Sequence, residues 1–434
     1  MIVLLLETQL GVLVARLSGA LIAPSTFQSH DHRYADVINR IEHAQKQMGA
    51  EPMNSPLIDY ALAGLQRCWV PENGTWSHIY HLDTQETPNE SILHSNVFYT
   101  LNVLLGLARV PTVPSSIDVE SIFQQNASRL IALPVNKYAF GAALWAAAEL
   151  KLNVPADVLA FIESMLADKR QWENFTAQDL GMILIGVVAQ AKHDPQKWSA
   201  LADELFHYLA TRYHSKSGLF FDAAHGLRRR FSSFATQTYL TLASYIYGEF
   251  TNNAQALEIA DACTSKLISL QGPNGEWPWF FDSNLGHVLD FYEVYTVHQY
   301  GMAPAFLEHA ERRGVQGARH ALIHGFNWVF GQNQLGVPML VPELQLSIRS
   351  QVRKGELHTK NLRILRAILG SVLGRQTGLI DRANIDLRRE CRSYELGWVL
   401  WSFGQRTDLP ELTHHTAFAE AVTRYQTRPV TALT

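Results

Sequence analysis

Apolar residues recur at every third or fourth position along most of the chain, the spacing that places them on one face of an α-helix. The stretches SNVFYTLNVLLGLARV, FGAALWAAAELKL and FATQTYLTLASYIYGEF show it, and further segments along the chain repeat it. The alternation of apolar and polar residues that is typical of β-strands is scarce. Short loops rich in Gly, Pro, Asn and Asp separate the apolar segments. The pattern predicts an all-α protein.

An internal repeat lies in the second half of the chain. GLFFDAAHGLRRRFSSFATQTY, which begins at Gly218, shares its FFD, Gly, Phe and Thr positions with a segment that begins at Phe280. The offset is 60 residues, as from Asp222 to Asp282 (282 − 222 = 60), and a looser copy begins at Asn73. A unit of this length fits a two-helix hairpin, which must stack on neighbours to bury its apolar face. We expect about six hairpins, over residues 35–430, to close into one (α/α)6 toroid of two concentric helical rings.

Composition and charge exclude some classes of function. The chain of 434 residues is 47% hydrophobic and 18% charged, with a formal net charge of −4. That balance is typical of a globular protein and unlike the basic surface of a nucleic-acid-binding protein. Cys68, Cys263 and Cys391 are far apart and odd in number, which predicts reduced packing residues and no disulfide framework.

The first 34 residues are predicted to form an N-terminal apolar helix or extension. Glu7 and Arg16 interrupt the apolar run, and no basic residue precedes it. A secretory signal has a basic start and an unbroken apolar core, and a membrane span needs about 20 apolar residues. We expect a cytoplasmic protein, with export as the alternative if the segment is a cleaved signal.

Two short motifs resemble known toroid families. QGPNGEW (271–277) fits Q-x-x-x-G-x-W, the repeat motif of squalene- and oxidosqualene-cyclase-type toroids, whereas the copy near Asn73 keeps Gly74 and Trp76 but has Val70 in place of Gln. This resemblance implies a toroid of the terpenoid-cyclase type. The acid runs of those enzymes, D-x-D-D and D-D-x-x-D, do not occur in the sequence.

A second resemblance is to enzymes that act on sugars. GFNWVFGQNQLGVPML (325–340) resembles the W-x-x-G-x-N-x-x-G segment of carbohydrate-active six-hairpin α/α barrels. NGEWPWFFD with the following YTVHQYGMAPAFL is similar in layout to a turn and Tyr-rich helix of glucuronyl epimerase and related toroids. These likenesses imply a hydrolase, lyase or epimerase acting on a glycosidic or uronic-acid-containing small molecule or oligosaccharide. We expect no cofactor and no metal, because the His78, His81, Asp83 and His94 cluster lies in a loop and lacks a firm third ligand.

The stretch 271–304 supplies the candidate catalytic groups. Glycoside hydrolysis needs two carboxylates that face one substrate, and Glu276 and Asp282 lie six residues apart across a turn. Glu276 and Glu293 have no acidic counterpart in the other repeat, which favours a special role, whereas a repeated Asp such as Asp282 can simply cap a helix or brace a turn. If they are catalytic, changing either Glu to Gln should abolish turnover and leave the melting temperature nearly unchanged.

Tyr295 and His298 are the candidate pair for abstracting a proton from C5 of a uronic acid. The alternative for His298 is a hydrogen-bonded helix residue below the loops. Aromatic faces suit the C–H faces of pyranose rings, and they suit hairpin interfaces equally well. The aromatic candidates for substrate binding are Trp76, Trp277, Trp279 and Tyr292.

The last predicted hairpin carries further candidates. Glu390, Tyr394 and Trp398 share one helical face by i, i+4 spacing. Because the last hairpin of a toroid packs against the first, Glu390 and Tyr394 could complete a substrate cavity that begins near Trp76. The alternative for Glu390 is a structural salt bridge with a neighbouring Arg.

A basic segment is inserted near 343–392. Eleven Lys and Arg against five Asp and Glu give a net +6 (11 − 5 = 6). Such a segment attracts an anionic glycan, an acidic partner or an anionic membrane, or it is a solvated face. If the segment attracts an anionic glycan, we expect Arg363 and Arg366 to guide this acidic substrate. The sequence thus leaves three functions open: a carbohydrate-active enzyme, a terpenoid-cyclase-like or prenyl-binding toroid, and a non-catalytic scaffold.

Overall fold

The computed structural model describes residues 53–84, 88–90, 92–355, 360–373 and 378–425. The predicted N-terminal extension, 1–34, lies outside these ranges. Within them, no helix has both the length and the apolar character needed to cross a bilayer.

Helices make up most of the described chain. They are α1 (Pro56–Arg67), α2 (Leu93–Leu107), α3 (Val119–Ser128), α4 (Tyr138–Leu150), α5 (Ala156–Ala167), α6 (Ala177–Ala191), α7 (Pro195–Arg212), α8 (Phe234–Thr251), α9 (Ala254–Leu270), α10 (Ala303–Arg312), α11 (Ala318–Val329), α12 (Lys360–Val372), α13 (Ser393–Phe403), α14 (Pro410–Thr413) and α15 (Thr416–Tyr425). A π-helical turn (His298–Met302) leads directly into α10.

Six of these helices form a closed inner ring. α2, α4, α6, α8, α10 with its π-turn, and α13 pack in that order, and α13 returns to α2. The outer helices α3, α5, α7, α9 and α11 each follow an inner helix along the chain, and α1 and α15 complete the last hairpin. The predicted all-α (α/α)6 toroid is confirmed.

The sequence explains which helices lie inside. In α4 every residue from Ala139 to Ala148 is buried, because the helix is apolar on all sides. Small residues let the inner helices approach closely: a Cβ on Gly141 would lie 2.4 Å from the backbone of Met182, and one on Gly186 would lie 2.4 Å from the Gly141 carbonyl oxygen. Cys68, Cys263 and Cys391 are buried and free, as predicted.

Short antiparallel strands lie in the loops that precede the inner helices. They are β1 (Trp69–Val70), β2 (Thr75–Trp76), β3 (Ile79–His81), β4 (Asn89–Glu90), β5 (Phe231–Ser233), β6 (Phe280–Asp282), β7 (His287–Asp290), β8 (Val294–Tyr295), β9 (Leu340–Val341), β10 (Leu346–Ser347), β11 (Ser350–Arg353), β12 (Ile385–Arg388) and β13 (Glu390–Cys391). β13 pairs with β3, so that Glu390 lies opposite His81 and the last hairpin is joined to the first.

Candidate functional site

Two neighbouring cavities lie where the inner helices begin. The first, about 440 Å³, is called the aromatic cavity because Tyr138, Phe231, Trp279 and Phe280 line it. The second, about 400 Å³, is called the histidine cavity. Asn136 and Tyr138 line both cavities, so the two share a wall. Together they offer an elongated site at the loop end of the ring.

Asp179 brings a carboxylate to the aromatic cavity from the first turn of α6. Its Oδ2 accepts hydrogen bonds from the backbone N–H (2.9 Å) and the hydroxyl (2.7 Å) of Thr176. The backbone N–H of Asp179 donates to the Thr176 Oγ1 (3.2 Å), which completes a capping box. The Asp179 Oδ1 accepts a bond of 2.8 Å from the backbone N–H of Tyr138. These bonds fix the carboxylate and also join α6 to the start of α4.

Asp222 brings a second carboxylate to the same cavity, from the loop after α7. Its Oδ1 accepts a 2.6 Å hydrogen bond from the hydroxyl of Thr236, and its Oδ2 lies 3.3 Å from the guanidinium of Arg228. The backbone N–H of Ala177 donates to the Asp222 carbonyl at 3.0 Å, which holds this loop against the start of α6. Burial raises the pKa of Tyr213, and the nearby charges of Asp179 and Asp222 raise it further.

The aromatic wall is built by β5, β6 and α12. Trp279 stacks on Phe280 with a centroid separation of 4.9 Å, and Phe280 lies 6.4 Å from Phe231 in a parallel arrangement. Ile364 and Ile368 of α12 complete the apolar lining. The cavity thus combines flat apolar surfaces with two carboxylates, the pairing that suits a pyranose ring.

The histidine cavity is lined in part by His78, His94, Tyr99 and Arg392. The Nδ1 of His78 lies 3.0 Å from the Oδ1 of Asn96, and burial lowers the pKa of this histidine. Arg392 is 2.8 Å from Glu390, while His94 is exposed. The cationic and imidazole groups make this lining more basic than that of the aromatic cavity.

A buried polar cluster surrounds Arg349 at the start of α13. Arg349 lies 3.2 Å from Glu390 and 3.3 Å from Glu395, and its guanidinium lies 4.9 Å from the ring centroid of Tyr295. Burial raises the pKa of Glu395 to about 8, against the opposing effect of Arg349. Tyr394 stacks at a tilt on Tyr99, which lines the histidine cavity, with centroids 4.7 Å apart.

The predicted residue Glu276 lies in a buried turn and does not line either cavity. Its carboxylate accepts hydrogen bonds from the backbone N–H of Asn274 (2.8 Å) and the side-chain amide of Gln334 (2.5 Å), and burial raises its pKa. The Q-x-x-x-G-x-W motif around it braces the ring, since Gln271 donates to the carbonyls of Gly275 and Ala321. Glu276 is therefore left out of the proposed site.

Asp282 also has a local structural environment. It is paired with Arg230 at 2.6 Å, and it accepts hydrogen bonds from the backbone N–H groups of Asn284 and Leu285. This geometry agrees with the alternative prediction that the repeated Asp braces a turn. The repeat partner Asp222, and not Asp282, lines the cavity.

Glu293 is buried and its oxygens are occupied. It lies 2.7 Å from Arg363 and 3.1 Å from Arg388, and the hydroxyls of Ser350 and Tyr295 donate to it. Arg363 is only 5% exposed, so the expectation that it guides an acidic substrate at the surface is wrong. Acidic residues outside the basic segment, such as Glu293, neutralise part of its positive charge.

His298 and Tyr295 are brought together and line neither cavity, although Tyr295 packs against the cluster that contains Trp279 and Phe280. Their centroids lie 5.0 Å apart, and His298 also packs on Phe234 at 4.6 Å. Burial lowers the pKa of His298 to about 3, with a further contribution from Arg349, so the ring is neutral at neutral pH. The Tyr295 hydroxyl donates to Glu293 and is engaged there. This geometry gives no support to proton abstraction by the pair.

The remaining predicted residues divide between packing and lining. Trp76, Trp277 and Tyr292 are at most 2% exposed and belong to the ring core, whereas Trp279 lines the aromatic cavity. Glu390 forms salt bridges with Arg349 and Arg392, in agreement with the alternative prediction of a structural salt bridge. Burial alone would raise the pKa of Glu390, but the two guanidinium groups lower it. Among the predicted site residues, Trp279 is the one that lines the aromatic cavity as the described part of the chain forms it, and none lines the histidine cavity.

Sequence reasoning missed Asp179, Asp222 and Tyr138. Asp179 was detectable as the Asp of the T-x-x-D capping pattern that opens the apolar run after Thr176. Asp222 stands in the repeat, but its repetition as Asp282 suggests a structural role and not a catalytic one. His78 and His81 both approach Glu90, at 3.8 and 3.6 Å. A metal site needs at least three His, Cys, Asp or Glu side chains close together, and the described ranges contain no such group.

Comparison with solved structures agrees with the toroid. A possible member of the GH105 family from Salmonella enterica serovar Paratyphi A is 12% identical, with a TM-score of 0.51 over 89% of this chain and 96% of that one. An unsaturated glucuronyl hydrolase from Streptococcus agalactiae is 11% identical, with a TM-score of 0.52 over 80% of this chain and 90% of that one. No protein-family model and no curated protein sequence matches the chain. The chain thus shares the six-hairpin fold of these two proteins.

Proposed function

We propose that the protein is a carbohydrate-active enzyme that cleaves glycosidic bonds by acid/base chemistry at the aromatic cavity. The observation that carries the proposal is the pair of carboxylates, Asp179 and Asp222, in one cavity walled by Trp279, Phe280 and Tyr138. The solved structures of the same fold are described as a possible GH105 member and an unsaturated glucuronyl hydrolase, which supports the same class. Asn136, Gln178 and Ser233 add hydrogen-bonding groups that suit a hydroxylated ligand better than a prenyl chain.

The two carboxylates have different surroundings and therefore different roles. Asp179 accepts three hydrogen bonds and is fixed, so it stabilises positive charge that develops on the sugar ring in the transition state. Asp222 accepts a hydrogen bond from the Thr236 hydroxyl and pairs with the exposed guanidinium of Arg228, and it transfers the proton between the leaving oxygen, water and solvent. Trp279 orients the ring by stacking.

The neighbouring histidine cavity supports a finer proposal for the substrate. Arg392, His78 and His94 line it beyond the shared wall of Asn136 and Tyr138, so a second sugar unit with a carboxylate would find basic partners there. The proposed substrate is an oligosaccharide that contains a uronic acid, bound across both cavities.

The test is turnover of a panel of uronate-containing oligosaccharides by the wild type and by Asp222→Asn. Loss of a proton-transfer group should lower kcat by about a hundredfold or more. Asp261→Asn is the matched control, because Asp261 lies on the outer helix α9, pairs with Arg313 at 2.7 Å and lines neither cavity. A folded Asp222→Asn enzyme with unchanged kcat would overturn the assignment. Carboxyl-reduced substrates should bind more weakly if the histidine cavity holds the uronate.

A further inference from the structure

Tyr138 lies on the wall that separates the two cavities. Among the described residues, it and Asn136 are the ones that line both the aromatic cavity and the histidine cavity. Its ring packs edge-on against Phe98, which lines the histidine cavity, with centroids 4.4 Å apart. Its backbone N–H donates to Oδ1 of Asp179, which lines the aromatic cavity, at 2.8 Å. Contacts with both cavities therefore fix the phenol at the boundary that a ligand bound across them must cross.

The Tyr138 hydroxyl is placed as a hydrogen-bond donor to a ligand. The side-chain amide of Asn136 donates to the phenol oxygen at 2.8 Å, so Tyr138 is the acceptor in that pair. In the described part of the chain, the O–H itself donates to no other residue. Burial raises the pKa of Tyr138 to about 12, so the phenol keeps this proton at neutral pH. A neutral phenol with a free proton can donate to an oxygen of a bound sugar.

The linkage between two sugar units must pass this wall. The cavities of about 440 and 400 Å³ both exceed roughly 300 Å³, the lower end of the size range of small-molecule sites. If one unit occupies each cavity, as the proposed function requires, the oxygen that joins the units lies at the residues that the cavities share. The polar side-chain groups there are the Asn136 amide and the Tyr138 hydroxyl. The amide is already directed at the phenol, which leaves the phenol O–H to meet the bridging oxygen.

We infer that the Tyr138 hydroxyl donates a hydrogen bond to the oxygen of the scissile glycosidic bond. The inference rests on the proposed function, because it takes the cleaved bond to be the one that joins the sugar in the aromatic cavity to the uronic acid in the histidine cavity. Asp179 and Asp222 line the aromatic cavity, so the sugar bound there is the one whose anomeric carbon reacts. The uronic acid is then the unit that leaves.

The leaving oxygen has room for both donors. A glycosidic oxygen has two lone pairs, so it can accept the proton of Asp222 and the hydrogen bond of Tyr138 together. When its bond to the anomeric carbon breaks, both bonding electrons remain on the oxygen, and the proton from Asp222 completes the hydroxyl of the leaving unit. A water molecule then gives a hydroxyl group to the anomeric carbon and a proton back to Asp222. Because negative charge grows on the leaving oxygen before it is protonated, the Tyr138 hydrogen bond is stronger in the transition state than in the bound substrate.

The test compares Tyr138→Phe with the wild type on two substrates. One is a uronate-containing disaccharide that the wild type cleaves, and the other is the 4-nitrophenyl glycoside of the sugar whose anomeric carbon reacts. Phenylalanine keeps the ring contact with Phe98 and removes only the hydroxyl. The variant should lower kcat for the disaccharide by about tenfold to a hundredfold, as expected for the loss of a hydrogen bond to a group that develops charge, and leave KM nearly unchanged. For the nitrophenyl glycoside kcat should change by less than about twofold, because nitrophenolate is a stable anion that leaves without such help.

Tyr208→Phe is the matched control. It removes the same hydroxyl group from the outer helix α7, and Tyr208 lines neither cavity. Its kcat should equal that of the wild type on both substrates. Circular dichroism checks folding. If Tyr138→Phe is unfolded, Asn136→Asp replaces it: the exposed new carboxylate only accepts hydrogen bonds and takes the Tyr138 proton, so kcat for the disaccharide should fall selectively in the same way.

Each outcome decides the inference. An unchanged kcat for the disaccharide overturns it, and so does an equal loss on both substrates, which would show a structural effect on the cavity wall. Either result leaves the proposed function standing as long as the wild type cleaves the disaccharide and Asp222→Asn does not. A wild type that cleaves no member of the uronate panel overturns the proposed function, and this inference with it.

Discussion

The carboxylate of Glu293 lies 2.7 Å from the guanidinium of Arg363, and both side chains are almost completely buried. The two residues are 70 positions apart in the chain, and their pairing holds α12 over the aromatic cavity. A second guanidinium, that of Arg388, lies 3.1 Å from the same carboxylate. Glu293 is thus the counter-charge of an otherwise cationic buried cluster.

Changing Glu293 to Gln should strongly destabilise the protein. The variant leaves Arg363 and Arg388 without their shared buried counter-charge, a change that typically costs about 3–5 kcal/mol. Urea unfolding measures the loss. Glu420→Gln, at an exposed pair with Arg424, is the control and should change the free energy of unfolding by less than about 1 kcal/mol. A fully stable but inactive Glu293→Gln enzyme would restore the catalytic interpretation drawn from the sequence.

The toroid could be predicted from the sequence, whereas the ion-pair partners of Glu293 could not. The offset of 60 residues and the helical periodicity predict the toroid, because both depend on local pattern and stacking. Apart from Tyr295, the partners of Glu293 come from β11, α12 and β12, which lie up to 95 positions away (388 − 293 = 95). No local pattern shows that a carboxylate will be neutralised by such distant residues.

The same limit applies to Asp222 and Asp282, each of which follows a Phe-Phe pair in the repeat. Asp282 ends β6, the middle strand of the sheet β5–β6–β7, and it is 1% exposed. Asp222 lies outside such a strand, beside the start of α6, and it lines the cavity. Asp222 and Asp282 differ in environment because their hairpins occupy different positions in the ring. The repeated sequence does not specify that position.

Gly275→Ala should destabilise the turn of the Q-x-x-x-G-x-W motif. Gly275 has φ +89°, and a Cβ there would collide with the carbonyl of His324. Gly314→Ala is the matched control, because Gly314 also has positive φ (+76°) but has open space around its Cβ position. Gly314→Ala should cost about 1 kcal/mol from backbone strain alone, and Gly275→Ala should cost clearly more. Equal losses in thermal unfolding would show that the close approach to His324 is unimportant.

Stability should fall as pH rises, in part through Glu395. Burial raises its folded pKa to about 8, above the usual range of an unfolded glutamate, so the folded state binds the extra proton. Its contribution is therefore complete below about pH 4.5 and is lost as pH rises toward 8. Glu395→Gln should flatten this decline, since its neutral amide resembles the protonated acid. Denaturant unfolding at pH 5, 6.5 and 8 tests the difference, and parallel curves for both proteins would contradict it.

The two tryptophans of the WPW sequence should respond in opposite ways to the same substitution. Trp277 is fully buried and packs on Phe234 (5.4 Å between centroids) and Phe306 (6.4 Å), so Trp277→Leu should cost a few kcal/mol of stability through the cavity it leaves. Trp279 faces the aromatic cavity, so Trp279→Leu should chiefly weaken the binding of an oligosaccharide. An aromatic contact of about 0.5–1.5 kcal/mol corresponds to a loss of roughly two- to tenfold in affinity. Calorimetric titration and thermal unfolding of both variants separate the effects. If Trp277→Leu weakens binding and Trp279→Leu does not, the site lies elsewhere in the ring.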